Sequence, residues 1–375
     1  MRKQLRTLIS LSLAALMFIV PAFGDMGGYC SEQRYVSLGD SIAGGIGLPD
    51  NPLRGPDQPD KNKVFCYKTP GAYPVLVAEA LGIKDENFAQ LACAGMRTVE
   101  LRACLDPSYT VPDSLANNFT GNELKEWVMD RYDYREYVKN ADIITMNMCA
   151  NDIAAYALFY ARGAMNKGGV PDAAINTAIG ECGYSTALMK LLELSQTLGN
   201  YAEVAEAAIT GLYVGYNRWM ENWDAIIGII YDLNPDVKLI CVGMNNPFNH
   251  LKVSKNSRLE IGAAADGLVT SINYWSSTGS KYSDRYIYVD IMGIETICEE
   301  QGNTLTDAGF LNSFELNVHP SMKGQKQIAD KIIDRITVQN DGLCNLFMMQ
   351  FKRITRMFIN KFGMELNQII GSFVC

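Results

Sequence analysis

An α/β fold with a parallel sheet covered by helices on both faces is predicted by three observations. Short apolar, β-branched runs alternate with helical stretches along the chain. The first three runs each stop at a turn of small and polar residues. The intervals between runs leave room for the right-handed crossovers that parallel strands require. No internal repeat interrupts this pattern.

The elements follow in order. Tyr35-Val36-Ser37-Leu38-Gly39 reads as a buried first strand that ends at Asp40-Ser41 and runs on into the glycine-rich Gly44-Gly45-Ile46-Gly47. Ser41 is therefore expected at the carboxyl end of a strand, where open α/β sheets place ligands. A helix is expected to open just after it and to aim N–H groups and a positive dipole end at negative charge developing on a substrate. Gly-Asp-Ser also fits a plain strand-to-helix turn with Asp or Ser as N-cap. Asp50 to Pro59 reads as a loop, and Tyr73 to Leu81 as a helix closed by Gly82. Asn87 to Ala92 is a second strand leading into Cys93-Ala94-Gly95, and Ala141 to Met148 a third, ending at Cys149-Ala150-Asn151-Asp152. The mixed, polar stretch from Cys104 to Tyr137 predicts nothing definite. Ala154 to Tyr231 is mostly helical, broken at Gly168 to Pro171 and Gly180 to Gly183, and reads as an insertion with a returning helix over the crevice. Val237 to Gly243 and Tyr286 to Ile291 are the fourth and fifth strands, separated by a helical stretch from Arg258 to Trp275.

With 48% hydrophobic and 20% charged residues, the 375-residue chain has a globular balance, which argues against disorder. Residues 1–24 have the three-part form of a secretory signal peptide: Arg2, Lys3 and Arg6, then an apolar stretch from Leu8 to Val20, then Ala22-Phe23-Gly24. The stretch is short for a membrane span. Removing those three cations takes the net charge from −8 to −11, which argues against nucleic acid as a partner and for an exported, extracellular protein. In that compartment the ten cysteines are expected to pair, and a Cys66–Cys93 bridge would clamp the first crossover.

The chain holds only two histidines, His250 and His319. His319 precedes Pro320, a residue suited to begin a helix, and a histidine in such a turn can reach across the sheet edge to a serine after the first strand. Taken alone, either histidine fits a surface or capping role. With no second histidine at ligand spacing and no Cys-x-x-Cys pair, neither a metal nor a cofactor is expected.

Four blocks in order, Gly39-Asp40-Ser41, Cys93-Ala94-Gly95-Met96-Arg97-Thr98, Cys149-Ala150-Asn151-Asp152 and His319-Pro320-Ser321, resemble the GDSL/SGNH hydrolase superfamily. Cys66-Tyr67-Lys68-Thr69-Pro70-Gly71-Ala72-Tyr73-Pro74 and Leu233-Asn234-Pro235-Asp236 are similar to segments of its secreted bacterial esterases and lipases. The resemblance runs from Arg34 to Ile333. It implies a three-layer α/β/α, flavodoxin-like parallel sheet of about five strands. It also implies a serine esterase in which Ser41 is the nucleophile, His319 the general base, and Ser41, Gly95 and Asn151 form the oxyanion hole. The usual nucleophile elbow, Gly-x-Ser-x-Gly, is absent around Ser41, which disfavours the α/β-hydrolase fold.

Two positions depart from that pattern. Where the family often has an Asp three residues before the histidine, this chain has Leu316, flanked by Glu315 and Asn317. A main-chain oxygen near Leu316 is expected to orient the imidazole, in preference to Glu315. Cys149 stands where the third block usually has Gly; it would crowd the oxyanion side or pair with a cysteine such as Cys182. A Cys149 nucleophile is disfavoured because it leaves Gly-Asp-Ser without a role.

Outside the resemblance, Phe347, Phe351, Ile354, Phe358 and Phe362 form one face of a helix within 341–375 that also carries Lys352, Arg353, Arg356 and Lys361. It fits either attachment to a membrane surface or packing on the catalytic domain of 25–340. The expected function is hydrolysis of carboxylic esters of small molecules, lipids or acylated carbohydrates through an acyl-enzyme on Ser41. A carbohydrate O-deacetylase using the same residues, and a silent binding protein on the same fold, are the alternatives.

Overall fold

The structure, a computed structural model, describes residues 32–51, 66–112, 131–180, 183–247, 262–300 and 319–336. The chain forms two compact units, 27–331 and a second made of 1–26 with 332–375. Of the second, only 332–336 are described, and they are helical. The leader expected at 1–24, the aromatic helix at 341–375, His250, Glu315, Leu316 and Cys182 lie outside the described residues.

The first unit is built on a five-stranded sheet of order β2-β1-β3-β4-β5, with every pairing parallel. The strands are β1 (Tyr35–Gly39), β2 (Phe88–Gln90), β3 (Ile143–Asn147), β4 (Lys238–Val242) and β5 (Ile287–Val289). This is the predicted α/β architecture, and its order is the flavodoxin-like one. Every residue of β1 and β3 is buried, as a strand covered on both faces requires. β1 lies between β2 and β3 with Tyr35 in register with Phe88 and Ile143, so the ends of those two strands flank the point where β1 stops.

The helices fill the intervals: α1 (Tyr73–Ala80), α2 (Thr98–Leu105), α3 (Tyr134–Lys139), α4 (Ala150–Lys167), α5 (Asp172–Ile179), α6 (Tyr184–Leu198), α7 (Tyr201–Leu233), α8 (Gly262–Tyr274), α9 (Ile297–Glu300) and α10 (322–336). A π turn, Trp275–Gly279, extends α8. No described helix is long and apolar enough to cross a membrane. The main core joins the sheet to α2, α3 and the second half of α7, while a smaller one lies among α4, α5, α6 and the start of α7.

The longest helix, α7, has 33 residues and reaches from the small core to the sheet. It lies close to α4 because Gly211 and Gly215 present no side chain there. A Cβ on Gly215 would sit 2.9 Å from the Asp152 carbonyl oxygen, and one on Gly211 would overlap the Tyr156 carbonyl oxygen. Lower on α7, Trp219 stacks with Tyr216 and packs within 5.3 Å of Trp223 and 5.1 Å of Trp275, centroid to centroid. Its indole N–H donates to the Met148 carbonyl at 3.0 Å, tying α7 to the end of β3.

Of the described cysteines, Cys66, Cys93, Cys104, Cys149 and Cys241 are free thiols. The bridge expected between Cys66 and Cys93 is not formed, their sulfurs lying 3.5 Å apart beside the Tyr134 hydroxyl. A disulfide needs about 2.05 Å, so the two sulfurs are neighbours without being bonded.

Two outcomes are expected. Peptide mapping of protein folded under oxidising conditions should recover Cys66 and Cys93 as one cross-linked pair; alkylation of both as free thiols would exclude the bridge. Gly211→Ala should lower stability by about 1–3 kcal/mol, because overlap with a fixed backbone carbonyl outweighs a helix-propensity gain of about 1 kcal/mol. Gly267→Ala, on α8 with nothing within 4 Å of the new Cβ, should keep that gain. Urea unfolding of both variants reads the contrast.

Candidate active site

Ser41 lies two residues beyond the last residue of β1, and the helix expected to open there does not form. Residues 41–47 are successive turns. The physical reason is Gly45 at φ 69° and Gly47 at φ 94°, conformations no helix contains. The helix-dipole argument for Ser41 therefore falls.

The turn is instead held by hydrogen bonds. Asp40 Oδ1 accepts from the Ile42 N–H at 2.9 Å, and the carbonyls of Asp40 and Ser41 accept from the N–H groups of Gly44 and Ile46. The next three carbonyls each meet a buried side chain. Gln325 Nε2 donates to Ile42 O at 3.0 Å, Gln90 Nε2 to Ala43 O at 2.9 Å, and Thr69 Oγ1 to Gly44 O at 2.7 Å. Backbone groups removed from both water and the sheet need such partners. Gly39 permits the chain to enter the turn, since a Cβ there would lie 2.8 Å from the Ala43 Cβ and 2.9 Å from the Asn147 carbonyl oxygen.

The ends of β2 and β3 stand beside this turn. Cys93 N–H donates to the Gly39 carbonyl at 3.0 Å, so the Cys93-Ala94-Gly95 turn continues alongside β1. Gly95 has φ 76°, which a residue with a side chain rarely adopts. From the first turn of α4, Asn151 Nδ2 donates to the Met96 carbonyl at 3.1 Å, linking the second and third blocks. A second link lies beneath it: the buried Asp152 carboxylate accepts from the Thr98 N–H at 3.1 Å and from its hydroxyl at 2.5 Å. Next to it Arg97 and Glu100 form a buried ion pair.

His319 arrives from the far side of the sheet. The loop after β5 grips the segment around it: Ile297 N–H donates to the His319 carbonyl at 2.9 Å, and Ser321 N–H to the Glu295 carbonyl at 3.0 Å. Glu295 also accepts from the Ser321 hydroxyl and from Lys323, both at 2.8 Å. The outcome is that His319 Nε2 and Ser41 Oγ lie 2.9 Å apart. His319 is half-buried, and desolvation of the ring disfavours the imidazolium, holding its pKa down at about 4.

The sequence-predicted residues thus come together in two contacts. Ser41 meets His319, and Asn151 meets the turn that holds Gly95. Cys149 carries a buried free thiol, and burial pushes its pKa well up, away from the thiolate a nucleophile needs. Among the described residues no group of three or more His, Cys, Asp and Glu is placed to hold a metal ion. Sequence reasoning missed Gln325, Gln90 and Thr69. Gln90 left a usable signal, being a polar residue within the apolar run Phe88 to Ala92 that must find a partner when buried.

Burial pushes the pKa of both Asp40 and Asp152 up to about 7, against hydrogen bonds from Ile42 and Thr98 that favour the charged form. Between the ordinary aspartate value of about 4 and that raised value the folded chain holds protons the unfolded chain has lost. The contribution of these two groups to stability therefore falls as pH rises through that window. Asp40→Asn keeps a side-chain oxygen for the Ile42 N–H and removes one of these groups. Its urea midpoint relative to wild type is expected to climb from about pH 4 to about pH 7; a flat difference would show that Asp40 does not titrate there.

No protein-family model matches the chain, and no curated protein does. Among solved structures, an extracellular lipase from Streptomyces rimosus matches at 16% identity and TM-score 0.43, over 81% of this chain and 99% of that one. Phospholipase A1 from Streptomyces albidoflavus NA297 matches at 15% identity and TM-score 0.44, over 81% and 99%. A carbohydrate esterase family 3 protein from Talaromyces cellulolyticus matches at 13% identity and TM-score 0.34, over 83% and 99%. Likeness at that level carries no argument about chemistry, which rests on the contacts above. In the order of its four sequence blocks, and in the parallel sheet that carries them, the chain is similar to the hydrolases of the GDSL/SGNH superfamily.

Proposed function

We propose that this protein is an exported serine ester hydrolase that cleaves carboxylic esters through an acyl-enzyme on Ser41, with His319 as general base. The observation that carries the reading is the 2.9 Å approach of His319 Nε2 to Ser41 Oγ at the carboxyl edge of the sheet. A serine hydroxyl is a weak nucleophile until a base accepts its proton. With its pKa held at about 4, the imidazole is neutral at pH 7 and able to accept.

Attack of Oγ on the ester carbonyl carbon forms a tetrahedral intermediate, and the Ser41 proton passes to Nε2. The oxyanion is assigned to the N–H groups of Ser41 and Gly95 and to the Asn151 carboxamide. One hydrogen of Asn151 Nδ2 is engaged by Met96, and the same nitrogen carries a second. Collapse expels the alcohol, which takes the proton from the imidazolium and leaves the acyl group on Ser41. Water then attacks the acyl-enzyme, with His319 again as base, and releases the acid. Export rests on the sequence of residues 1–24.

Hydrolysis of short- and long-chain p-nitrophenyl esters and of an acetylated sugar tests the reading and selects the substrate class. Ser41→Ala should lower kcat by about four to six orders of magnitude, and Asn151→Ala by about a hundred- to a thousandfold. Equal rates for wild type and folded Ser41→Ala on every substrate would favour the binding-protein alternative. The acid limb of kcat/KM should fall near pH 4 rather than near 6.5, because only protonation of His319 removes the base. The His319 contribution to folding stability declines as pH falls from about 6.5 to about 4, because there the unfolded chain binds a proton that the folded chain refuses; it opposes the contribution of Asp40 and Asp152 over that range.

A further inference from the structure

We propose that Gln325 is a positioning residue, which fixes the nucleophile relative to its base by tying the Ser41 turn to the helix that follows His319. The proposal rests on the hydrolase reading above. Gln325 is fully buried on α10, six positions after His319. Its carboxamide is used at both ends: Nε2 donates to the Ile42 carbonyl at 3.0 Å, and Oε1 accepts from the Tyr73 N–H, at the start of α1, at 2.9 Å.

Four buried side chains hold the carbonyls of Ile42, Ala43 and Gly44, Asn51 joining Thr69 at the last, but they come from different places. Gln90 belongs to β2, and Thr69 to the segment before α1. Only Gln325 comes from the segment that bears the base. That segment is rigid behind it: a Cβ on Gly324 would overlap the Glu295 carbonyl oxygen, and Ser321 and Lys323 both bind the Glu295 carboxylate. Gln325 N–H itself donates to the Ser321 carbonyl at 2.8 Å. A displacement of the Ser41 turn relative to α10 must therefore break the bond from Gln325 to Ile42.

The turn would survive their loss. Ile42 O also accepts from the Gly45 N–H at 3.2 Å, and the Ala43 and Gly44 ties are untouched. What disappears is the link between nucleophile and base, so the effect belongs in the chemical step. A misplacement of about 1 Å in such a pair commonly costs about a hundredfold in rate.

The test measures kcat and KM on the best p-nitrophenyl ester, and the rate of Ser41 labelling by a small fluorophosphonate, for wild type, Gln325→Met and Gln325→Glu, with Ser41→Ala as blank. The folded fraction of each is taken from circular dichroism. Gln325→Met should lower kcat and the labelling rate by about ten- to a hundredfold, with KM within about twofold. In Gln325→Glu a protonated carboxyl can donate to Ile42 O and accept from Tyr73 N–H, whereas the carboxylate repels the carbonyl. Its kcat relative to wild type should therefore recover as pH is lowered, a rescue that Gln325→Met cannot show. Where Gln325→Met does not fold, the pH course of Gln325→Glu decides. Folded variants with wild-type kcat at every pH, a loss confined to KM or to the folded fraction, or failure of both variants to fold would overturn the proposal. Absence of Ser41 labelling in wild type would instead overturn the hydrolase reading, and this inference with it.

Discussion

Backbone carbonyls that leave a sheet inside a protein still need donors, and that requirement shapes the centre of this molecule. After Gly39 the chain has no strand to continue and, with Gly45 and Gly47 at positive φ, no helix to enter. Each carbonyl from Asp40 to Gly44 is paired nonetheless, the first two within the turn and the last three with help from Gln325, Gln90 and Thr69. A partner missing from such a site costs about 1–3 kcal/mol. The turn is thus specified by residues far away in sequence, and a serine that would be mobile on a free loop is held from three directions.

The sheet order explains why those directions converge. With β1 between β2 and β3, the second block arrives on one side of Ser41 and the third on the other, and hydrogen bonds from Cys93 to Gly39 and from Asp40 to Asn147 join them to it. Asn151 is set in turn by packing at a distance. α4 begins with the third block, and the approach of α7 at Gly211 and Gly215 falls on Asp152 to Ala157 of that same helix. The helices between β3 and β4 are therefore part of the support for the third block.

Much of this was legible in the sequence. Five largely apolar runs predicted five strands in a parallel sheet, because strands buried on both faces are mostly apolar. His319 stood out because the chain has only two histidines. The turn after Ser41 was misread as a helix, since the sequence shows where glycines stand but not which of them take positive φ. Strand ends were overestimated for a related reason: Leu91 and Cys93 still donate to β1 carbonyls beyond the last residue of β2, so apolar patterning outlasts regular geometry. Gln325 was invisible, because a buried glutamine on an amphipathic helix looks like any polar residue until the tertiary fold brings Ile42 and Tyr73 to it. The Cys66–Cys93 pair was placed correctly in space and not in bonding, since proximity follows from topology and oxidation state from the surroundings.

The aromatic cluster on α7 gives the protein an optical property of its own. Three of its four tryptophans, Trp219, Trp223 and Trp275, lie within one set of ring contacts, anchored to β3 through the Met148 carbonyl. Indoles this close share their excited states. The ultraviolet emission and near-ultraviolet dichroism of these three indoles report on one joint, where the long helix meets the strand leading to the third block. A ligand or solvent change that shifts this joint therefore has a built-in spectroscopic reporter, with no label to attach.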